Sequence, residues 1–166
     1  MKVFIPRNDI KRKVKELAEK ISSEYENGLV VIGVLKGAFV FMADFVRQLT
    51  CPVYIDFIKV SSYKGKETTG EINLELSCSI DLKGKDVLVV EDIVDTGITL
   101  SFIKEFLAEK DPKSLKVCCF LDKPERRKVD FIPDYVGFTI PNRFVVGYGL
   151  DCSEEYRSLP YIATLD

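Results

Sequence analysis

Histidine is absent from the sequence. Without it, neither a Ser-His-Asp nor a Cys-His catalytic arrangement can form, and histidine metal sites are excluded. Any metal that this chain binds should therefore be a hard cation with oxygen ligands, Mg²⁺ or Mn²⁺. Long apolar runs are also lacking, because none approaches the ~20 residues of a membrane-spanning helix. The opening MKVFIPRND becomes polar too soon for a signal peptide. We expect no membrane partner.

Cysteine pairs and excess charge are lacking as well. The chain has five cysteines, an odd number, and no C-x-x-C pair. Most of them stand in apolar surroundings, which is typical of reduced thiols, so we expect a cytoplasmic protein.

The net charge of −2 argues against a nucleic-acid partner, which would require a broad basic surface. A local basic patch for a phosphorylated small molecule is compatible with this charge.

The composition is that of a globular protein. Hydrophobic residues make up 46% of the 166 residues, and charged residues make up 30%. The length fits one domain, and no linker, repeat or low-complexity tract divides the chain. We therefore predict a single domain over residues 1–166.

Apolar patterning predicts an alternation of strands and helices. Short, almost wholly apolar runs predict strands that are buried on both faces, at residues 29–34, 87–90 and 115–121. Helical spacing predicts helices over about 9–25, 39–49 and 99–108. Alternating residues at 53–60 and 72–79 predict a long hairpin around a polar loop at 61–70. This order indicates an α/β fold with a doubly wound, mostly parallel sheet.

The last forty residues have a different character. They contain three of the seven prolines, several aromatic residues and short strand-like pieces at 135–140 and 144–148. We expect a small hood or lid, contributed mainly by residues 123–166.

The segment VLVVEDIVDTGITL, residues 87–100, carries the strongest chemical signal. The buried strand leads into Glu91 and Asp92, and ligands of open α/β sheets bind beyond the carboxyl ends of the strands. Carboxylates at this point can accept hydrogen bonds from a ribose diol or hold Mg²⁺. Asp95 follows, between this diol site and the loop before the helix. The alternative is that these acids only favour a helix N-terminus and solubilise a turn.

A phosphate-binding loop is predicted directly after Asp95. Gly97 permits close approach of the backbone, and Thr96 and Thr99 supply hydroxyls. The free N–H groups at the start of the following helix favour a phosphate.

The order Glu-Asp, two hydrophobic residues and Asp-Thr-Gly-x-Thr resembles the phosphoribosyl-pyrophosphate motif of type I phosphoribosyltransferases. The resemblance extends over nearly the whole chain, and it is strongest to the 6-oxopurine branch, the hypoxanthine-guanine phosphoribosyltransferases. It implies the type I phosphoribosyltransferase fold. It also implies that Asp95 is catalytic, as an acid or base near purine N7, and that Glu91 and Asp92 bind the diol and Mg²⁺.

Two further segments match the family's phosphate-handling parts. Lys36-Gly37, after the first buried strand, resembles the pyrophosphate loop, in which the peptide bond before the lysine is cis. Ser62-Tyr63 in the polar loop matches the family's flexible catalytic loop, which closes over pyrophosphate and excludes water. Standing alone, Lys36-Gly37 would be interpreted as a plain turn.

The predicted purine site lies in the hood region. By resemblance, Lys123 reads O6 of the base, Phe144 stacks on the purine face, and backbone groups of Val145 bind the base edge. Asp151 is assigned to this pocket and to a second Mg²⁺ on pyrophosphate, and Arg157 contacts pyrophosphate. The alternatives are that Lys123 is a surface lysine in a basic turn and that FVVGYG is a core strand.

The resemblance implies transfer of phosphoribose from phosphoribosyl pyrophosphate to a 6-oxopurine, with Mg²⁺, by a homodimer or homotetramer. Cys152 stands where relatives often carry an aromatic residue, so the preference between guanine and hypoxanthine stays open.

One alternative function is a phosphoribosyltransferase for xanthine or adenine. A ligand sensor that binds without catalysis is another, although the chain keeps the loop residues that such proteins often lose. A dinucleotide-binding fold lacks support, since no G-x-G-x-x-G follows the first strand.

Overall fold

The computed structural model describes residues 1–62 and 71–166. Its helices are α1 (Arg7–Glu24), α2 (Phe39–Gln48) and α3 (Ile98–Ala108), with a short 3₁₀ turn at Pro124–Arg126. Its strands are β1 (Lys2–Ile5), β2 (Leu29–Leu35), β3 (Val53–Ser62), β4 (Ile72–Leu76), β5 (Asp86–Val94), β6 (Ser114–Asp122), β7 (Tyr135–Thr139), β8 (Val145–Val146) and β9 (Ile162–Thr164). No helix in these two ranges is long and apolar enough to cross a membrane.

The main sheet has the strand order β4-β3-β2-β5-β6-β7. All neighbours are parallel except β3 and β4, which pair antiparallel. The predicted mostly parallel sheet is therefore confirmed. The chain passes from β2 to β3 on one side, whereas β5 pairs with β2 on the other. This reversal of strand order opens a crevice at the carboxyl ends of β2 and β5, where ligands of such sheets bind.

Both faces of this sheet are covered. In β2, Val31 packs in the core that includes α1 and α2, whereas Val30 and Ile32 pack in the core that includes Ile103 of α3. Successive strand residues point to opposite faces, so burial on both sides requires an uninterrupted apolar run. This requirement explains the pattern of residues 29–34 and confirms the doubly wound arrangement.

A second, three-stranded sheet has the order β1-β9-β8 and is antiparallel. The sequence analysis predicted no strand at β1, so the contribution of the N-terminal residues was missed. Within residues 123–166, β8 and β9 belong to this small sheet, while β7 pairs with β6 in the main sheet. The small sheet corresponds to the predicted hood.

Phe120 connects the main sheet with residues 147–157, which we call the hood segment. It is 1% exposed, and its ring centroid lies 5.0 Å from those of Phe41 in α2 and Tyr148 in the hood segment. Phe138 of β7 meets it edge-on at 5.5 Å. Such aromatic pairs add stability beyond their buried area.

We predict that Phe120→Ala lowers the free energy of unfolding by about 3–5 kcal/mol, because it leaves a cavity that several rigid elements enclose. Chemical denaturation with urea measures this change. Phe102→Ala, at a partly buried position on α3, is the matched control and should cost less. If the two variants lost equal unfolding free energy, Phe120 would not stabilise the fold more than a partly buried phenylalanine does.

Candidate active site

Strand β5 carries the predicted acids to the crevice. It continues to Val94, beyond the apolar run predicted at 87–90, because the parallel ladder with β6 persists through Glu91 and Val94. Backbone pairing here overrides the weak strand preference of acidic residues. Glu91 and Asp92 are therefore held on a rigid strand end.

The two carboxyl groups form an electrostatically coupled pair. Glu91 is 8% exposed, and its Oε1 accepts a hydrogen bond from the Asp92 N–H at 2.9 Å. Asp92 Oδ1 accepts from the Ile93 N–H at 2.7 Å. Burial, followed by the neighbouring Asp92 charge, raises the pKa of Glu91 well above its usual value. Burial also raises the pKa of Asp92, although hydrogen bonds and the Arg157 charge oppose this shift.

The loop that is predicted to bind phosphate lies directly before α3. Gly97 has a φ of +82° and is the residue directly before α3, so it offers the helix no side-chain cap. Thr96 Oγ1 accepts a long hydrogen bond, 3.3 Å, from the Ile98 N–H. A cavity of about 130 Å³ lies at this loop. It is lined by Glu91, Ile93, Val94, Asp95, Thr96, Gly97, Thr99 and Leu100.

A larger cavity, of about 560 Å³, lies between α1, α2 and the segment after Tyr148. None of the predicted site residues lines it. Position at the carboxyl edge of the sheet, and not cavity size, therefore identifies the candidate site.

Asp95 is engaged by two arginines that the sequence analysis did not assign. Arg126 Nε lies 3.0 Å from Asp95 Oδ1. Arg127 donates through Nη1 to the Asp95 carbonyl at 2.9 Å and through Nη2 to Asp122 Oδ1 at 2.7 Å. Their only sequence signal was the basic turn after Lys123. They fix the Asp95 loop to the end of β6.

Lys123 is buried, with 7% exposure, so the alternative of a surface lysine is wrong. Its backbone N–H donates to the Val94 carbonyl at 2.9 Å, which places it beside the end of β5. Burial, opposed by the Asp95 charge and assisted by Arg126, lowers the pKa of Lys123.

The Lys36-Gly37 loop meets both β5 and the hood segment. The Leu35–Lys36 peptide bond is cis, as the resemblance implies. A Cβ atom at Gly37 would lie 1.9 Å from Asp92 Oδ2, so a side chain cannot fit there. A Cβ atom at Gly149 would lie 2.2 Å from the Gly37 carbonyl oxygen. These contacts bring the ends of β2 and β5 and the hood segment together.

Arg157 and Asp151 lie on the hood side of this junction. Arg157 Nη1 donates to the Gly149 carbonyl at 2.8 Å, and its Nη2 lies 3.3 Å from Asp151 Oδ1. Glu154, which the sequence analysis missed, contacts Arg157 at 3.0 Å and Lys36 Nζ at 2.8 Å. Within residues 1–62 and 71–166, the buried Nε of Arg157 has no hydrogen-bond partner.

Val145 and Phe144, which are also predicted to bind the purine, differ in burial. Val145 is buried in β8, the edge strand of the small sheet, so one row of its backbone groups has no strand partner. Phe144 is 60% exposed, unlike Val146 and Tyr148, which are buried. The core-strand alternative therefore holds for part of FVVGYG but not for Phe144. No measured contact joins Phe144 to Lys123 in the described part of the chain.

The Ser62-Tyr63 prediction is not tested. Ser62 ends β3, and Tyr63 lies outside the described residues.

The doubly wound fold, with an acid pair and a glycine turn at the carboxyl edge of its sheet, is that of a phosphoribosyltransferase. The phosphoribosyl transferase domain family matches residues 6–153, and the chain belongs to this family.

Named relatives are similar over almost the full length. The chain is 51% identical to the hypoxanthine-guanine phosphoribosyltransferase of Aquifex aeolicus, covering 98% of this chain and 93% of that protein. The structure of a Bacillus anthracis hypoxanthine-guanine phosphoribosyltransferase matches with a TM-score of 0.95 and 50% identity, covering 100% of this chain and 99% of that one. Trypanosoma cruzi hypoxanthine phosphoribosyltransferase, solved with the product IMP, matches with a TM-score of 0.93 and 41% identity, covering 99% and 94%. The predicted family and fold class are confirmed.

We predict that Glu91→Gln gains stability relative to wild type as the pH rises in metal-free buffer. The folded-state pKa of Glu91 is raised, so wild type is most stable below the unfolded-state pKa and loses stability as pH rises through the folded-state pKa. Glutamine has no such titration. The difference in unfolding free energy between the variant and wild type should therefore grow as the pH rises above the ordinary pKa of a glutamate. Denaturant unfolding at several pH values measures it, with Glu105→Gln on the exposed face of α3 as control. A pH-independent difference would contradict the prediction.

Proposed function

We propose that this chain is a purine-salvage enzyme that transfers 5-phosphoribose from phosphoribosyl pyrophosphate to N9 of hypoxanthine, guanine or both. The products are pyrophosphate and IMP or GMP. The observation that carries the proposal is the convergence of an acid pair whose Glu91 is buried, a helix N-terminus that follows a glycine, and a buried lysine at the carboxyl edge of β5. The relatives named above, similar over nearly their whole length, support the same reaction.

The sugar-phosphate portion binds along the end of β5. The N–H groups of the loop at Thr96, Gly97 and Thr99 hold the 5′-phosphate, because they are free of side-chain caps and stand at the positive end of α3. Glu91 and Asp92 accept hydrogen bonds from the ribose hydroxyls. This contact partly replaces the solvation that burial removes from them.

The pyrophosphate group binds between the loop after β2 and the hood segment. Lys36 and Arg157 contribute positive charge, and Gly37 leaves room beside Asp92. As the bond from the ribose C1′ to pyrophosphate breaks, negative charge builds on the leaving oxygen. Fixed cations stabilise that charge more in the transition state than in the bound substrate.

The acid residues fit Mg²⁺ as a cofactor. Among residues 1–62 and 71–166, no three acidic or thiol side chains are grouped as a metal cage. Mg²⁺, however, is usually held by one or two carboxylates together with substrate phosphates. Glu91 and Asp92 would supply such oxygens on one side and Asp151 on the other. When bound, Mg²⁺ neutralises charge on the pyrophosphate.

Asp95 acts on the proton of the purine. As N9 forms its bond to C1′ and pyrophosphate departs, the base must lose one proton, and the Asp95 carboxylate accepts it from N7. Arg126 holds this carboxylate at one oxygen, 3.0 Å away, and leaves the other oxygen for the base. The Arg127 contact to the Asp95 carbonyl fixes the loop that carries it.

Three residues select the base. Lys123 has only donors, so it pairs with O6 of a 6-oxopurine. Phe144 offers an exposed ring for stacking, worth about 1–3 kcal/mol by analogy with nucleic-acid bases. The free edge of β8 at Val145 supplies backbone groups for the rest of the base.

Three wider features belong to the proposal. We take residues 1–166 as one domain, with the hood contributed mainly by 123–166 and the small sheet as its support. A homodimer or homotetramer and a cytoplasmic location follow from the resemblance and from the cysteine pattern.

We predict that Asp95→Asn lowers kcat by about 10²–10⁴-fold, the usual contribution of a general acid or base. The KM for phosphoribosyl pyrophosphate should change little, because the shape of the side chain is kept. Steady-state kinetics measures both. Asp111→Asn, in the exposed turn at the far end of α3, is the control. Turnover within about threefold of wild type would remove Asp95 from the chemistry.

We predict use of hypoxanthine and guanine and negligible use of adenine, with xanthine left open. Adenine would set an amino donor against the buried Lys123, and such sites reject the wrong analogue by roughly 10⁴-fold. Lys123→Gln should reduce the use of 6-oxopurines and narrow the ratio of kcat/KM for hypoxanthine over adenine, because an amide also accepts. Mononucleotide formation from each base with phosphoribosyl pyrophosphate and Mg²⁺ is the measurement.

Lys128→Gln, an exposed neighbour, controls for loss of charge in the basic turn. If wild type used adenine comparably, the 6-oxopurine assignment would be wrong. If Lys123→Gln kept the wild-type ratio, Lys123 would have no part in base choice. If no base yielded a mononucleotide while ligands still bound, the sensor alternative would stand instead.

A further inference from the structure

Glu154 forms an internal bridge between the two cations assigned to pyrophosphate. Its Oε2 lies 2.8 Å from Lys36 Nζ, and its Oε1 lies 3.0 Å from Arg157 Nη2. Lys36 and Glu154 are 118 positions apart in the chain, so only the fold brings them together. The Glu154 carboxylate thus presents one oxygen to each cation, as a bound phosphate group would.

The backbone fixes Glu154 in this position. Ser153, Glu154 and Tyr156 have φ values of +52°, +67° and +75°, which non-glycine residues adopt uncommonly. The Glu154 N–H donates to Asp151 Oδ2 at 2.9 Å. The turn therefore directs the carboxylate toward Lys36, whereas Glu155 makes no ion pair with any described residue.

The bridge is poorly suited to stabilising the fold. The Lys36 and Glu154 side chains are 54% and 62% exposed, and ion pairs between solvated groups contribute little to stability. It is well suited to exchange, since a carboxylate with one charge yields to a pyrophosphate group with several charges. Arg157 would stay in place during this exchange, because the Gly149 carbonyl and Asp151 also hold it.

Arg157 retains unused capacity for an anion. Its guanidinium is 19% exposed, and its buried Nε has no partner in residues 1–62 and 71–166. A buried donor of this kind is costly unless a ligand or water satisfies it. The Glu154 contact at Nη2 therefore does not satisfy the whole group.

We propose that Glu154 is a positioning residue that occupies the anion position between Lys36 and Arg157 in the free protein and leaves when pyrophosphate binds. This inference rests on the proposed function. Glu154 keeps the two cations together before substrate arrives. It also competes with the pyrophosphate group, which limits the affinity for the pyrophosphate product and favours its release.

The test compares Glu154→Gln with Glu155→Gln, an exposed neighbour that loses the same charge without breaking the bridge. Isothermal titration with inorganic pyrophosphate and Mg²⁺ gives the dissociation constants. Glu154→Gln should bind pyrophosphate about three- to tenfold more tightly than wild type, since two exposed ion pairs no longer compete. Glu155→Gln and Glu154→Asp, which keeps the competing charge, should both stay near wild type.

Steady-state kinetics adds a readout that a purely structural role would not move. Glu154→Gln should lower the KM for phosphoribosyl pyrophosphate and leave the KM for hypoxanthine unchanged. If wild type binds pyrophosphate but Glu154→Gln binds it equally or more weakly, Glu154 only orders the cations and the inference is overturned. If wild type itself binds no pyrophosphate, both this inference and the proposed function fail.

Discussion

The reversal of strand order between β2 and β5 is the constraint on which the site depends. Because the chain leaves β2 toward β3 on one side and β5 toward β6 on the other, the loops after β2 and β5 diverge and leave a crevice between them. The crevice is narrow enough that Gly37 touches Asp92. Pyrophosphate and the 5′-phosphate of the proposed substrate can then bind on opposite sides of one acid pair, with the ribose across the gap.

The cationic side chains at this crevice already have acidic partners within the free protein. Lys36 and Arg157 are paired with Glu154, Arg126 is paired with Asp95, and burial raises the pKa of Glu91. Substrate binding is therefore an exchange of partners. The affinity gained is the difference between the new contacts and the ones they replace, and it is much smaller than their sum. An enzyme that must also release its products benefits from this arrangement.

Sequence patterns predicted the parts of this architecture that depend on local rules. The apolar runs of β2, β5 and β6 followed from burial on both faces, and the Asp-Thr-Gly loop followed from the needs of a phosphate at a helix start. The parts that were missed depend on contacts between distant segments. β1 is a short strand that pairs with β9, near the other end of the chain. Glu154 can bridge Arg157 to Lys36 only when the fold brings Lys36 beside it.

The contact of Arg126 with Asp95 could not be predicted from the sequence either. Its position in a basic turn indicated only positive charge near the purine site, whereas the structure directs it at Asp95. That contact places a permanent cation near both the proposed proton acceptor and Lys123. Burial lowers the pKa of Lys123, the Asp95 charge opposes this shift, and the Arg126 charge adds to it. Burying a lysine close to another cation costs free energy, because the ammonium group loses solvent and is repelled by the second charge. Such a lysine is poorly suited to a purely structural role. We propose that its partner is a hydrogen-bond acceptor on a ligand, which the O6 atom of a 6-oxopurine would provide.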